Sequence, residues 1–237
     1  MNKITLGVVI ALILGFIGLV TWSMSQNLRI DYDSYDWTRI IEASEDNGNI
    51  GDHFRGNPEA LVTVVEWGDF SCSHCAAIQS VVNKMVDEFG DRVVFIYRNF
   101  PLSGYPNSIA AASIVEAVGL QGHYDVAATA MFANQSLWMS ASESTRMDIF
   151  INSVILPNIP DIDLDQLRTD MNSREIARKI DFDKNLGKRR NISGTPSFFI
   201  NGEKVDGEVF GSEDSFRAYL NQLLKDLGVQ TGTQTQE

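Results

Sequence analysis

The sequence predicts an α/β fold, a mixed sheet carrying an all-helical insertion and preceded by an N-terminal transmembrane helix. Three observations predict it. Two β-branched runs, 61–67 and 92–98, flank a helical stretch that opens on the only two cysteines, Cys72 and Cys75. Helical periodicity then fills residues 107–190. Finally, an Asn201-Gly202 turn between two apolar runs leads into a helix capped by Ser212.

Residues 4–20 carry no charge, and Thr21 to Met24 extend the run to the roughly 20 residues that span a bilayer core. Lys3 and the amino terminus precede it and acidic residues follow, so the amino end stays in the cytoplasm and the rest is exported. The competing reading is a cleaved signal peptide with Ser23-Met24-Ser25 as a poor cleavage site. Apolar regions of such peptides run to only about 7–15 residues. Residues 1–25 are therefore read as an anchor and 26–52, acidic and turn-prone at Asn47-Gly48-Asn49, as a linker. Residues 35–42 within it suggest a short helix.

The compact domain is expected over 53–227. Residues 61–67, LVTVVEW, read as a strand buried on both faces. Residues 76–89 repeat apolar side chains at helical spacing and stop at Gly90. Residues 92–98 make a second strand, parallel to the first through a right-handed crossover. Further helices are expected over 108–118, 124–132, 142–154, 165–171 and 174–186. Asn201-Gly202 signals a hairpin between 197–200 and 203–205. Glu213 and Asp214 suit the first turn of the last helix. Residues 228–237 read as a disordered tail.

Composition excludes some functions. Apolar residues make up 44% of 237, enough for a core, while the formal net charge of −12 argues against nucleic acid as a partner. It also gives no attraction to anionic lipid headgroups, so membrane attachment must be hydrophobic.

Two cysteines in an exported chain of this size are too few for a disulfide scaffold. Their spacing alone permits a metal site, a structural staple or a redox pair. Zinc needs two more ligands, and the only histidines are His53, His74 and His123, so no metal is expected. A staple across so small a loop contributes little chain entropy. The redox reading is favoured because Cys72 stands where a strand hands over to a helix. The free N–H groups there stabilise a thiolate. Cys75 lies one turn further in, and an imidazole at His74 would add to the effect. No cofactor is needed beyond the cysteines.

Two other groups belong to this reading. Pro196, in Gly194-Thr-Pro-Ser197, enters a later strand and suggests an edge, a bulge or a cis bond. Beside Cys72 it would leave Thr195 backbone groups free to pair with an extended peptide. Glu66 interrupts an apolar strand. Buried, it would take and return the Cys75 proton through water; exposed on an edge strand, it would do nothing. Asp69 sits in the turn as a solvated or capping group.

The segments VEWGDFSCSHC (65–75), YRNFPL (97–102), MFANQ (131–135) and SGTPSFFING (193–202) resemble the DsbA-like thiol-disulfide oxidoreductases of the thioredoxin superfamily, in their membrane-anchored bacterial form. The resemblance covers roughly 56–227. It implies a thioredoxin-like fold with its helical insertion at 107–190. It also implies Cys72 as the exposed nucleophile, Cys75 as its partner and Pro196 as a cis-proline. The implied activity is an exported dithiol oxidase that passes disulfides to cysteine-containing secreted proteins and is reoxidised by a quinone-linked membrane oxidase. Family members often carry proline where this chain has Ser73, which leaves the oxidising strength open. A reductase or isomerase of the same fold is one alternative. A non-catalytic anchored peptide-binding module is another.

Overall fold

The structure is a computed structural model and describes residues 7, 10, 12–18 and 30–229. The chain divides into two units, 1–35 and 36–237. In the first, residues 7, 10 and 12–18 are helical, and Tyr32–Ser34 form a single 3-10 turn capped by the Asp31 carboxylate. Among the described residues no helix is long and apolar enough to cross a membrane. The anchor expected over 1–25 lies largely outside the described residues.

The second unit holds a five-stranded sheet. Its strands are β1 (His53–Gly56), β2 (Val62–Gly68), β3 (Val93–Asn99), β4 (Ser197–Ile200) and β5 (Glu203–Val205), in the order β1-β3-β2-β4-β5. β2 and β3 are parallel, as the helix between them requires, and the other pairs are antiparallel. Helix α1 (Ser73–Phe89) is that crossover. The insertion comprises α2 (Ser108–Leu120), α3 (Tyr124–Ala133) and the short α4 (Gln135–Trp138), followed by an interrupted helical run from Arg146 to Asn158. Its middle, Ile149–Ile155, is a π-helix. α5 (Leu164–Asp170) and α6 (Arg174–Arg189) complete it, and α7 (Glu213–Asp226) closes the domain.

The register sorts the sheet's two faces. Val64↔Phe95 and Glu66↔Tyr97 are parallel partners, while Arg55↔Phe95 and His53↔Tyr97 pair across β1 and β3. Paired residues point to one side, so His53, Arg55, Glu66, Tyr97 and Phe198 share a face. Lower on that face, Val62, Val64, Phe95, Phe198 and Ile200 pack with Val82, Met85 and Phe89 of α1 and Phe216, Leu220 and Leu224 of α7. The opposite face carries Trp67 and Arg98.

Arg98 explains why the linker expected over 26–52 does not run to Asp52. Its guanidinium is fully buried and donates to the Asp52 carboxylate and to the carbonyls of Trp37 and Arg39. Lys179 of α6 adds ion pairs to Asp52 at 3.2 Å and to Asp183 at 2.9 Å. Burial alone would push the Asp52 carboxyl up, but Arg98 and Lys179 bring it down to about 2. Residues 36–52 are therefore folded into the domain, with Ile41 and Ile50 buried. The helix expected over 35–42 is absent because Trp37 and Arg39 give their carbonyls to Arg98. At the other end, Val229 N–H donates to the Leu224 carbonyl and Gly228 adopts a positive φ of 70°, so the expected tail begins with a helix cap. Residues 230–237 lie outside the described residues.

Candidate active site

β2 is buried along its whole length and delivers its carboxyl end to the site. Gly68 ends the strand, and a tight turn follows. Its internal bond runs from Cys72 N–H to the Asp69 carbonyl at 2.9 Å. Asp69 is buried rather than solvated. One carboxylate oxygen accepts from Ser71 N–H at 2.8 Å; the other accepts from Leu102 N–H at 2.8 Å and the Ser108 hydroxyl at 2.7 Å. This carboxylate thus ties the cysteine turn to the start of the insertion.

Cys72 is the N-cap of α1, with extended backbone and no side-chain cap bond. Its carbonyl already accepts from Ala76 N–H. The sulfur is therefore presented to the free amides of the first turn. Both cysteines are free thiols in this structure. Cys72 is 4% exposed and Cys75 0%, so the nucleophile that the resemblance implied to be exposed is only the outer of two buried sulfurs. The Thr195 carbonyl, 3.3 Å from Cys72 Sγ, accepts from the thiol. The Thr195 hydroxyl is buried without a protein hydrogen-bond partner, which leaves it available to the thiolate. The Thr195–Pro196 peptide is cis.

These contacts separate the two thiols. Hydrogen bonding from the Cys75 thiol lowers the Cys72 thiol from 9.0 to about 5 against the opposing effect of burial. Thr195 and the backbone amides of Cys75 and His74 contribute the rest. Burial drives Cys75 the other way, far above its ordinary range, and the neighbouring Cys72 and Glu66 add to it. His74 reaches the sulfur through its backbone amide, while the residue itself is exposed.

Glu66 lies on the central strand of the sheet and is 4% exposed, which removes the edge-strand alternative. Its Oε1 has no hydrogen-bond partner among the described residues. Burial raises this carboxyl to about 8, with Cys72 reinforcing the rise and Arg55 opposing it. At neutral pH the site thus holds a Cys72 thiolate, a Cys75 thiol and a mostly protonated Glu66. Chemically, such a set can supply a nucleophilic sulfur, a second thiol and a proton. Among the described residues no group of His, Cys, Asp and Glu is arranged to hold a metal.

Sequence reasoning missed Tyr97, Tyr124 and Arg55, which line a cavity with Glu66. The parallel register would have found the first, since it places Tyr97 beside Glu66 on one face. Tyr124 and Arg55 carry no local signal, because only the packing of α3 over β1 brings them there.

A family model described as Thioredoxin matches residues 48–222. A thioredoxin-like oxidoreductase from Silicibacter pomeroyi DSS-3 superposes with a TM-score of 0.59 at 28% identity, covering 77% of this chain and 99% of that one. Wolbachia pipientis alpha-DsbA1 gives a TM-score of 0.63 at 23% identity, covering 75% and 93%. The probable disulfide bond formation protein D of Bacillus cereus is 26% identical over 196 residues, 78% of this chain and 87% of that protein. The Na(+)/H(+) antiporter NhaA 1 of Mycolicibacterium gilvum is 28% identical over 159 residues, 66% of this chain. The chain spans about a quarter of the length of such antiporters, 24% in this case. The chain belongs to the thioredoxin family and has within it the fold of the DsbA-type thiol-disulfide oxidoreductases.

Proposed function

We propose that this thiol-disulfide oxidoreductase works as a dithiol oxidase outside the cytoplasm, donating the Cys72–Cys75 disulfide to cysteine-containing secreted proteins. A substrate thiolate attacks Cys72 Sγ and forms a mixed disulfide. The Cys72–Cys75 bond breaks, and its electron pair leaves on Cys75, which takes the proton held by Glu66. A second substrate thiolate then attacks the substrate sulfur of the mixed disulfide and releases Cys72 as a thiolate. The substrate loses two electrons and the enzyme gains them.

One observation carries the reading, namely the opposed shifts of the two thiols. Cys72 is a thiolate at neutral pH and hence a good leaving group, while Cys75 is held as a thiol. Stabilising the reduced form in this way makes the disulfide the stronger oxidant. This favours an oxidase over the reductase and isomerase alternatives, and gives a purely binding module no reason for the asymmetry. His74 assists through its backbone amide. Thr195 and Pro196 provide the backbone on which an extended substrate would lie.

The apolar run at 4–24 supports a single membrane anchor with the catalytic domain on the extracytoplasmic side, and Leu12, Leu14 and Phe16 within it are exposed. Such an anchor would hold the domain beside a quinone-linked membrane oxidase for reoxidation. The test is disulfide transfer to a reduced, unfolded protein substrate. Oxidised protein should transfer one disulfide per chain and Cys72→Ser none. Undiminished transfer by Cys72→Ser would end the enzymatic reading.

A further inference from the structure

Behind the cysteines, the face of the sheet that carries Glu66 is not packed solid. A cavity of about 40 Å³ lies between β1, β3 and β2 on one side and α1 and α3 on the other. Its polar lining includes His53, Arg55, Glu66, Tyr97, Tyr124 and Asp125, with Gln79 and Thr129 beside them. Three of these residues bury a polar atom that finds no hydrogen-bond partner among the described residues: Glu66 Oε1, the Tyr97 hydroxyl and the Tyr124 hydroxyl. By contrast, the buried carboxylates of Asp52 and Asp69 are each held by several donors. Three orphans in one cavity form a pattern, because each unsatisfied group is costly. A volume of that size holds about two or three waters, and a site lined by several polar atoms is the kind that waters occupy.

The arrangement has a direction. Glu66 and Tyr97 are register partners on parallel strands. The Tyr97 ring leans along the sheet over Gly68, where a Cβ would lie 2.5 Å from the ring and 2.8 Å from the hydroxyl. The hydroxyl is thus held alongside the backbone that leads from Glu66 to the cysteine turn, and Phe70 and Phe132 flank the ring at 5.3 and 6.3 Å. Tyr124 stands at the opposite wall, stacked on His53 at 3.4 Å, and His53 in turn reaches Glu116 at 2.7 Å. Beyond them the Arg55 and Asp125 side chains are 26% and 59% exposed and form the wet rim. The cavity therefore brings together a dry carboxyl, two buried hydroxyls and a solvent-facing rim.

We propose that the Tyr97 and Tyr124 hydroxyls hold a short chain of waters through which Glu66 exchanges its proton with solvent between turnovers. The inference rests on the oxidoreductase reading, since it gives Glu66 a proton to recover. A neutral hydroxyl donates and accepts at once, so each tyrosine can pass a proton along without ionising. Burial raises both phenols well above their ordinary value and keeps them in that neutral form. Without such a path, a carboxylate at 4% exposure that has given its proton to Cys75 is recharged only when the site opens. Tyr97 and Tyr124 are positioning residues here, and neither touches the reacting sulfurs in this account.

The experiment is steady-state turnover of the full-length protein, in which a model dithiol reduces it and a small disulfide in excess reoxidises it so that Glu66 must recover its proton in every cycle, in H2O and in D2O, with wild type, Tyr97→Phe, Tyr97→Phe/Tyr124→Phe and Glu66→Gln. Phenylalanine keeps the rings and removes only the relay. The rate of Tyr97→Phe should fall about tenfold, less than the roughly 10²–10⁴ of a direct acid–base group because water still fills part of the path. The double variant should be slower still, with a larger solvent isotope effect. The equilibrium redox potential and the Cys72 thiolate absorbance should stay at wild-type values, which a merely structural defect would not allow. Wild-type rates in both tyrosine variants beside a slow Glu66→Gln would overturn the water path and leave the oxidase reading standing. Slow tyrosine variants with a shifted potential would overturn it as well. A crystal structure with ordered solvent gives an independent check. It should show water within hydrogen-bond reach of Glu66 and both hydroxyls, and a dry cavity would refute the proposal.

Discussion

Replacing Cys75 by alanine should raise the Cys72 thiol pKa by one to two units. The Cys75 thiol is the largest single cause of the fall from 9.0 to about 5. A hydrogen bond to a charged group contributes roughly 1.5–3 kcal/mol, equivalent to about 1–2 pKa units. The Cys75→Ala thiol should therefore titrate at about 6–7. Thiolate ultraviolet absorbance against pH reads the value directly, and the pH dependence of alkylation confirms it. The parallel His74→Ala variant should move the pKa less, because its backbone amide survives the substitution. The reasoning fails if Cys75→Ala leaves the pKa at about 5, or if His74→Ala raises it more. The same shift sets a stability difference. A thiol depressed on folding stabilises the reduced protein fully above 9.0, progressively less as pH falls, and not at all below about 5. At pH 7 about two units remain, or roughly 3 kcal/mol.

Other consequences follow from the same contacts. Glu66 is raised from 4.5 to about 8 by burial, so its ionisation costs native stability increasingly as pH rises through that window. Glu66→Gln should gain about 3 kcal/mol at pH 7 relative to pH 4 in urea unfolding, and an unchanged pH slope would contradict the assignment. Arg98→Met strands the buried Asp52 carboxylate and two backbone carbonyls, and should cost about 3–5 kcal/mol by the same assay. Gly68→Ala pushes a methyl group into the Tyr97 ring and should cost about 1–3 kcal/mol, a cost that should vanish when Gly68→Ala is made on a Tyr97→Ala background if that contact is the cause.

Much of this was legible in the chain, and the reasons are local. Within the run 61–67, Val62 to Trp67 alternate nothing and are buried on both faces, as a central strand in a parallel pair must be, while Leu61 stays exposed outside the strand. The cysteines appear where that strand ends, and the helix starts at Ser73, three residues earlier than its apolar periodicity begins. Asn201 and Gly202 take positive φ values of 47° and 86°, as the hairpin signal requires. The Ser212 side chain caps α7 by accepting from Ser215 N–H. What was missed depends on distant partners. β1 is four residues long and half-exposed, so it carries no apolar run; its place is given by pairing with β3. Residues 36–52 look like an acidic spacer because Asp52 reads as solvated until Arg98 and Lys179 arrive from elsewhere in the chain. The cavity behind Glu66 likewise exists only once α3 lies across β1.

The central claim is that the chain is built to give its disulfide away. The reduction potential of the Cys72–Cys75 couple, equilibrated against glutathione at pH 7, tests it most directly. Thioredoxin, with a reactive thiol pKa near 7, sits at about −270 mV. Lowering that thiol to about 5 stabilises the reduced form by roughly 2 kcal/mol more at pH 7, or about 50 mV. A value of about −220 mV or higher is therefore predicted. A value at or below that of thioredoxin would contradict the oxidase account.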